Sequence, residues 1–501
     1  MAPVPAQRIR ALNTREARPD GTCVLYWMVA ARRLSSNFGL QRAAEWAIAL
    51  QRPLVIFEPL RVDYRWASDR LHRFVIEGMA DHHHAMRSRP ATYVPHVEHQ
   101  PGDGRRLLDA LVAQAAVVVT DDYPAFFVPG MLSAAGRRIA VRLEAVDSNG
   151  LLPMRLADRT FPTAFAFRAH VQRSLRACLA EWPADIAWDR LPPPVALALP
   201  DDAGARPTPG AALAAPDALI ASLDIDHSVG PVNVRGGTAP AAARLAHFVT
   251  NLLPRYTDDH NHPDIDGTSR LSPYLHFGHL SAHDVFTSVM TAERWTSRKL
   301  ALSGGGKREG WWGVSAGAEA FLDQLITWRE LGFNMCVRAP ETYDQYESLP
   351  PWARATLDRH AGDPRPSRYS TEALARADTH DPVWNAAQRQ LVREGWMHNY
   401  LRMLWGKKIL EWSDTPESAL TTMIQIMNRY ALDGRDPNSY AGYGWTLGRY
   451  DRPWGPERPI FGTVRYMSSE NTVRKLKIKA YLQRFGAEAV PESFLSSPSL
   501  L

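Results

Sequence analysis

Three cysteines in 501 residues, Cys23, Cys178 and Cys336, are too few and too widely spaced for a disulfide framework. A reducing compartment fits that scarcity. No apolar run is long enough to span a bilayer. Residues 1–18 are polar and lack the apolar core of a signal peptide, so a cytoplasmic location and no membrane partner are expected. Neither a G-x-G-x-x-G fingerprint nor a G-x-x-x-x-G-K-[ST] phosphate loop is present. Gly304-Gly305-Gly306-Lys307 has the wrong spacing, follows no strand and reads as a flexible loop. Asp81-His82-His83-His84 would point its imidazoles apart on a helix, so no metal site is expected. No internal repeat is visible. The excess of one charge sign is also small: 58 basic against 53 acidic residues leave a net charge of +5, which permits a polyanionic partner without requiring one.

Tryptophan is abundant, with 16 in the chain. Indoles pack well, and they are also the side chains most easily oxidised. The length allows two or three domains with full cores. Over residues 1–160, short β-rich runs (24–29, 53–57, 116–120, 138–141) alternate with helical patterns (38–50, 107–116). That alternation predicts an α/β domain built on a Rossmann-like parallel sheet. Thr120-Asp121 falls at a strand's C-terminal end, where such sheets place ligands. Residues 189–216 are rich in Pro, Ala and Gly, and a linker is expected over 161–238. From 239 to 487 the pattern is helical throughout, with helices expected at 240–253, 281–292, 317–336, 351–360, 370–378, 382–394, 395–412 and 416–430. This predicts an all-α second domain, followed by a frayed tail at 488–501.

The run 395–412 is the most informative. His398, Arg402, Trp405, Ile409 and Trp412 fall on one helical stripe, opposite Lys407 and Glu411. A guanidinium on an inward face needs a partner. Asp433, in Asp433-Gly434-Arg435-Asp436-Pro437-Asn438, is the candidate. Trp405 and Trp412 are two turns apart, about 10 Å along the axis, a spacing that suits electron hopping. A core helix with two packing indoles is the plain alternative. Upstream, Thr268-Ser269-Arg270-Leu271-Ser272 precedes an apolar helix and offers N–H groups, hydroxyls and a cation to a pyrophosphate. Ser272-Pro273 would equally serve as an ordinary helix cap.

These segments, with Leu271-Ser272-Pro273-Tyr274-Leu275-His276-Phe277-Gly278, Trp384-Asn385-Ala386-Ala387-Gln388, Lys407-Lys408-Ile409-Leu410-Glu411-Trp412 and Arg458-Pro459-Ile460-Phe461-Gly462, resemble the photolyase/cryptochrome flavoproteins. Class II cyclobutane pyrimidine dimer photolyases are the nearest resemblance. It is dense over 256–481 and thinner in the first 160 residues. It implies an antenna-type α/β domain, an all-α FAD-binding domain, and light-driven, electron-transfer repair of flipped-out dimers in DNA, by a monomer. FAD is the implied cofactor. A second antenna chromophore, deazaflavin or folate, is left open.

Residue by residue, the resemblance assigns Tyr256, Thr268, Ser269, Arg270, Leu271, Ser272, Arg329, Arg402, Asp433, Asp436 and Asn438 to the flavin. Trp384, Trp405 and Trp412 match the electron-transfer tryptophans. Gln324, Trp328, Asn399, Met403 and Trp445 match residues that meet the dimer. Arg465, Arg474 and Lys475, with Arg393, Lys407, Lys408, Lys477 and Lys479, form a basic set suited to phosphates. Two positions depart from the pattern. Gln324 stands where dimer photolyases carry Glu, although its amide can still donate a hydrogen bond. Met427 stands where class II members carry an Asn near the flavin N5, with Asn428 adjacent and Asn438 in the following loop. A cryptochrome-like blue-light receptor and (6-4) photoproduct repair are the alternatives. The second lacks its histidine pair, since Asn399 follows His398.

Overall fold

The computed structural model describes residues 2–486 except 200, 203 and 205, so the expected tail lies outside the described residues. The chain divides into two compact units, each discontinuous in sequence. The first comprises Met1–Leu156, Ser174–Ala246 and Leu271–Ser288. The second comprises Ala157–Arg173, His247–Arg270 and Val289–Leu501.

The first unit is an α/β sheet of six strands: β1 (Ile9–Ala11), β2 (Cys23–Trp27), β3 (Leu54–Leu60), β4 (Thr92–Val97), β5 (Ala115–Asp121) and β6 (Arg142–Val146), in the order β1-β6-β5-β2-β3-β4. All pairings are parallel except β1 on β6. β2 and β5 are buried at every position, as strands covered on both faces must be. Their junction is the point where strand order reverses, and Asp121 ends β5 there. Its carboxylate accepts from the N–H groups of Val29, Ala30 and Ala31 (2.8, 2.8 and 2.9 Å) and from Tyr26 Oη (2.6 Å). Asp121 therefore anchors the loop after β2.

Several elements differ from the sequence reading. The strand expected at 138–141 forms at Arg142–Val146, because Ile139 and Val141 are a buried connector after the helix Val128–Arg138. β4 carries Pro95, and it forms only because it is the sheet's edge. Within the expected linker, residues 161–173 belong to the second unit and 174–238 to the first. Short helices Gly210–Leu213 and Pro216–Ala221 carry Leu213, Leu219 and Ile220 into a core with Val75, Ile76 and Met79. With Leu223 just beyond the second helix, four spaced apolar residues do this where average composition suggests only a spacer.

The second unit is helical. Pro382–Glu394 and Pro416–Tyr430 form as expected, capped by Asp381 and Thr415. Two expected helices contain π-wound turns. Phe248–Leu252 is one, and Asp323–Trp328 splits the 317–336 helix into Ala316–Leu322 and Arg329–Arg338. Such turns recur at functional sites. Arg329–Arg338 lies against Pro437–Thr446, and Gly332 makes this possible: a Cβ there would stand 2.6 Å from the Pro437 carbonyl.

One glycine of the motif 271–278 has a purely steric role. Gly278 has φ +75°, and a Cβ would lie 1.9 Å from the Ala30 carbonyl. Its own carbonyl accepts from Arg33 at 3.1 Å. Gly278→Ala is expected to destabilise the α/β unit by roughly 3 kcal/mol or more, which calorimetry would register as a lower first unfolding transition.

Candidate active site

The helix Asn399–Trp412 begins after His398, which is buried and whose N–H donates to Gln390 Oε1 at 3.1 Å. Burial, with His260, Arg270 and His262 nearby, pushes its imidazole down to about 4, so it is neutral at physiological pH. One turn on, Arg402 Nη2 reaches both oxygens of Asp433 at 3.1 and 3.3 Å. The sequence-predicted pair is thus brought together. The Arg402 side chain keeps 19% of its exposure and that of Asp433 keeps 8%. Arg402 Nε is buried without a hydrogen-bond partner among the described residues.

What presents Asp433 is Arg435, a residue the sequence reading passed over. Arg435 has φ +63° and is buried. Its guanidinium donates to the carbonyls of Asn428, Ala431 and Leu432, at the C-terminal end of Pro416–Tyr430. A cation there satisfies orphan carbonyls and meets the negative end of the helix dipole. The Arg435 N–H donates to Asn428 Oδ1 (2.8 Å), Asn428 Nδ2 donates to Tyr440 Oη (3.2 Å), and Tyr443 donates to Asn428 Oδ1. Asn428 is therefore occupied in holding the loop, and Met427 beside it is fully buried. Asp436 caps Pro437–Thr446, accepting from the Asn438 N–H at 2.8 Å, while Asn438 itself is exposed.

The three tryptophans are in ring contact, in an order the sequence does not reveal. Trp384 stacks on Trp405 (centroids 6.2 Å, planes 6° apart) and meets Trp412 edge-on at 5.4 Å. The indole of one helix thus bridges the two of its neighbour. Trp384 Nε1 donates to the Trp405 carbonyl and Trp405 Nε1 to Gln388 Oε1. All three are buried. Trp412 then touches half-buried Tyr369 (5.2 Å) and exposed His380 (5.5 Å). The single-stripe picture of this helix does not hold: from Leu404 to Leu410 it is buried all round. Lys407 and Lys408 are inside, which removes them from the phosphate-facing set.

In Phe321–Glu330 only Gln324 and Trp328 keep appreciable exposure. Both lie on the π-wound turn, whose first residue, Asp323, is gripped by Arg168 at 2.7 and 3.0 Å. Arg168 also donates to the Gly306 carbonyl, and Gln172 bonds both Gly306 N–H and the Lys307 carbonyl. The glycine loop read as flexible is thereby tied down. Asn399 is exposed and Met403 half-buried near the start of Asn399–Trp412. Trp445 is half-buried, near Lys407 and Arg465.

Tyr256 is buried among Phe248, Phe321 and His260, and burial raises its phenol well above the usual range. Thr268, Ser269 and Arg270 are half-buried; Arg270 has φ +53° and lies over Trp396. Leu271 and Ser272 belong to the first unit, where Ser272 is the first residue of Ser272–His276 and Leu271 holds the cap position. Arg329 is buried over Phe333. Arg465 is bound by Asp451 at 2.8 Å and is partly exposed, whereas Arg474 and Lys475 are exposed on Ser469–Lys475.

Arg435→Met leaves several buried carbonyls unsatisfied and should lower stability by roughly 3 kcal/mol, against about 1–2 kcal/mol for Asp433→Asn, which keeps the loop and loses one charge. Urea unfolding of the two variants checks the order.

No protein-family model matches the chain. It is 34% identical over 480 residues to the deoxyribodipyrimidine photo-lyase of Methanothermobacter thermautotrophicus, covering 96% of this chain and 98% of that one. In fold it is similar to a class III photolyase from Agrobacterium tumefaciens (TM-score 0.63, 19% identity, covering 93% of this chain and 86% of that chain). It is likewise similar to a Sulfolobus tokodaii photolyase solved with two FAD molecules (TM-score 0.60, 13% identity, covering 94% and 92%). With 34% identity sustained over nearly the whole of both chains, this protein belongs to the photolyase family.

Proposed function

We infer that the protein repairs cyclobutane pyrimidine dimers in DNA in a light-driven reaction, as a class II-type photolyase with FAD as cofactor. The observation that carries this reading is the division of labour on Asn399–Trp412. Its first turn holds the Arg402–Asp433 pair, and its later turns hold two of three indoles in continuous contact. The class rests on the sequence motifs.

The residues suit a flavin. A guanidinium with one buried, unmet N–H beside a fixed carboxylate is the donor set that a ring edge gaining negative charge requires. Arg402, Asp433 and Asp436, with Tyr256, Thr268, Ser269, Arg270, Arg329 and Asn438, would hold the group. When bound and reduced, FAD supplies absorption of blue or near-UV light and one-electron donation. The rest of the work belongs to the chain. Arg402 and Asp433 fix charge without reorganisation. The stacked indoles give a path for electrons from the exposed His380 side inward. Gln324 offers its amide N–H to a base carbonyl, and Trp328 and Trp445 present flat apolar faces to an extruded dimer. Arg465, Arg474 and Lys475 meet phosphates around it. We assign an antenna-type role to the α/β unit, with its chromophore unspecified. Among the described residues no helix is long and apolar enough to cross a membrane.

Illumination of the reduced protein with dimer-containing oligothymidine should restore thymine absorbance. Flavin binding without any repair would instead favour a blue-light receptor. Trp384→Phe should slow photoreduction of the oxidised flavoprotein by roughly tenfold or more, while chemically reduced Trp384→Phe keeps its repair activity. Gln324→Glu should raise repair per absorbed photon if the amide is the weaker partner of the base.

A further inference from the structure

Lys407 and Lys408 are neighbours in sequence and opposites in environment. Lys408 meets Glu411 at 2.9 Å and Asp381 at 3.8 Å; burial opposes its charge, but these carboxylates hold its pKa above the usual value. Lys407 is fully buried and makes one hydrogen bond, to the Thr446 carbonyl at 2.6 Å. Among the described residues no carboxylate lies within ion-pair distance of it. The helix packed over it, Pro437–Thr446, carries no charged side chain, and Pro416–Tyr430 brings Met423 to the adjacent Gly406 and Thr446. The charged groups facing Lys407 are Asp451 and Arg465. Burial pushes its ammonium down to about 7.

The remaining partner of that ammonium is a ring. Lys407 Nζ is 5.1 Å from the centroid of Trp445. Arg465, tied to Asp451 at 2.8 and 3.2 Å, lies 5.8 Å from the same centroid and 3.9 Å from that of Trp454. Trp445 is therefore approached by two cations, one interior and one at the surface, with Asp451 influencing both. Filling this space would be cheaper with a methionine than with an ammonium given one carbonyl. A cation earns its place there through the indole it faces.

We propose that Lys407 is a positioning residue for Trp445: its protonated ammonium holds the indole in the orientation that receives a flipped pyrimidine dimer, and loss of that proton releases it. This rests on the reading of Trp445 as a dimer-facing aromatic. It adds a specificity device, since binding of damaged over undamaged DNA becomes dependent on pH through a residue that contacts neither strand.

The test uses the full-length protein and short duplexes with and without one thymine dimer, from pH 6 to pH 9. The wild type should lose roughly three- to tenfold of its preference for the dimer as pH rises through about 7. Lys407→Met should show a low, flat preference, and Lys407→Arg a high, flat one. The difference in tryptophan fluorescence between wild type and Trp445→Phe should titrate over the same range and vanish in Lys407→Met. Stability gives a further readout. The unfolded lysine keeps its proton to higher pH than the folded one, so wild-type stability should rise above pH 7, and Lys407→Met should lack that rise. A wild-type pH profile retained in Lys407→Met overturns the proposal. If Lys407→Met fails to fold, a wild-type Trp445 fluorescence difference that does not titrate overturns it equally. No dimer preference at any pH would instead sink the functional reading, while the fluorescence titration would still decide the link between Lys407 and Trp445.

Discussion

The helical unit is organised around a buried guanidinium that binds backbone carbonyls. Arg435 gathers the carbonyls ending Pro416–Tyr430 and forces the chain through a left-handed residue. The turn so made sends Asp433 to Arg402 and Asp436 to the start of Pro437–Thr446. Two acids three residues apart thereby acquire different tasks, one electrostatic and one as a cap. The cap directs the next helix, which lies against Arg329–Arg338 and carries Trp445 in its last turn. An interior cation satisfied by backbone carbonyls is costly to desolvate, and no apolar side chain could tie these three carbonyls together.

A second constraint is local winding. Gln324 and Trp328 emerge from an otherwise buried segment because the turn at Asp323–Trp328 is wound wider than an α-helix. Arg168, distant in sequence, holds the first residue of that turn. The same economy appears on Asn399–Trp412, where one helix carries the ion pair, two indoles and Lys407. Charge, oxidisable rings and a titratable amine are set at fixed separations along one rigid rod, where loops would leave them free to drift.

Much of this was readable in order along the chain. Alternating short apolar runs announced the sheet, since strands buried on both faces leave continuous Val and Ile stretches such as 117–119. Phe38–Leu50, Pro382–Glu394 and Pro416–Tyr430 carried their own caps and periodicity. That Arg402 needs an anion was readable from its inward position, and the resemblance to photolyases pointed to Asp433 as that anion. The edge strands β1 and β4 were not readable, since one has three residues and the other carries a proline. The linker reading suffered from composition, which averages away the four leucines and isoleucines that enter a core.

Side-chain chemistry is written in the primary order: which residues can be oxidised, which can carry charge, and which must be capped or paired, because these depend on each residue and its near neighbours. Packing settled the rest. Trp384 comes to lie between Trp405 and Trp412, Arg435 turns inward, and Lys407 and Lys408 part into unlike environments. Each of these outcomes depends on helices remote in sequence arriving at the same place, and no local pattern encodes where they meet.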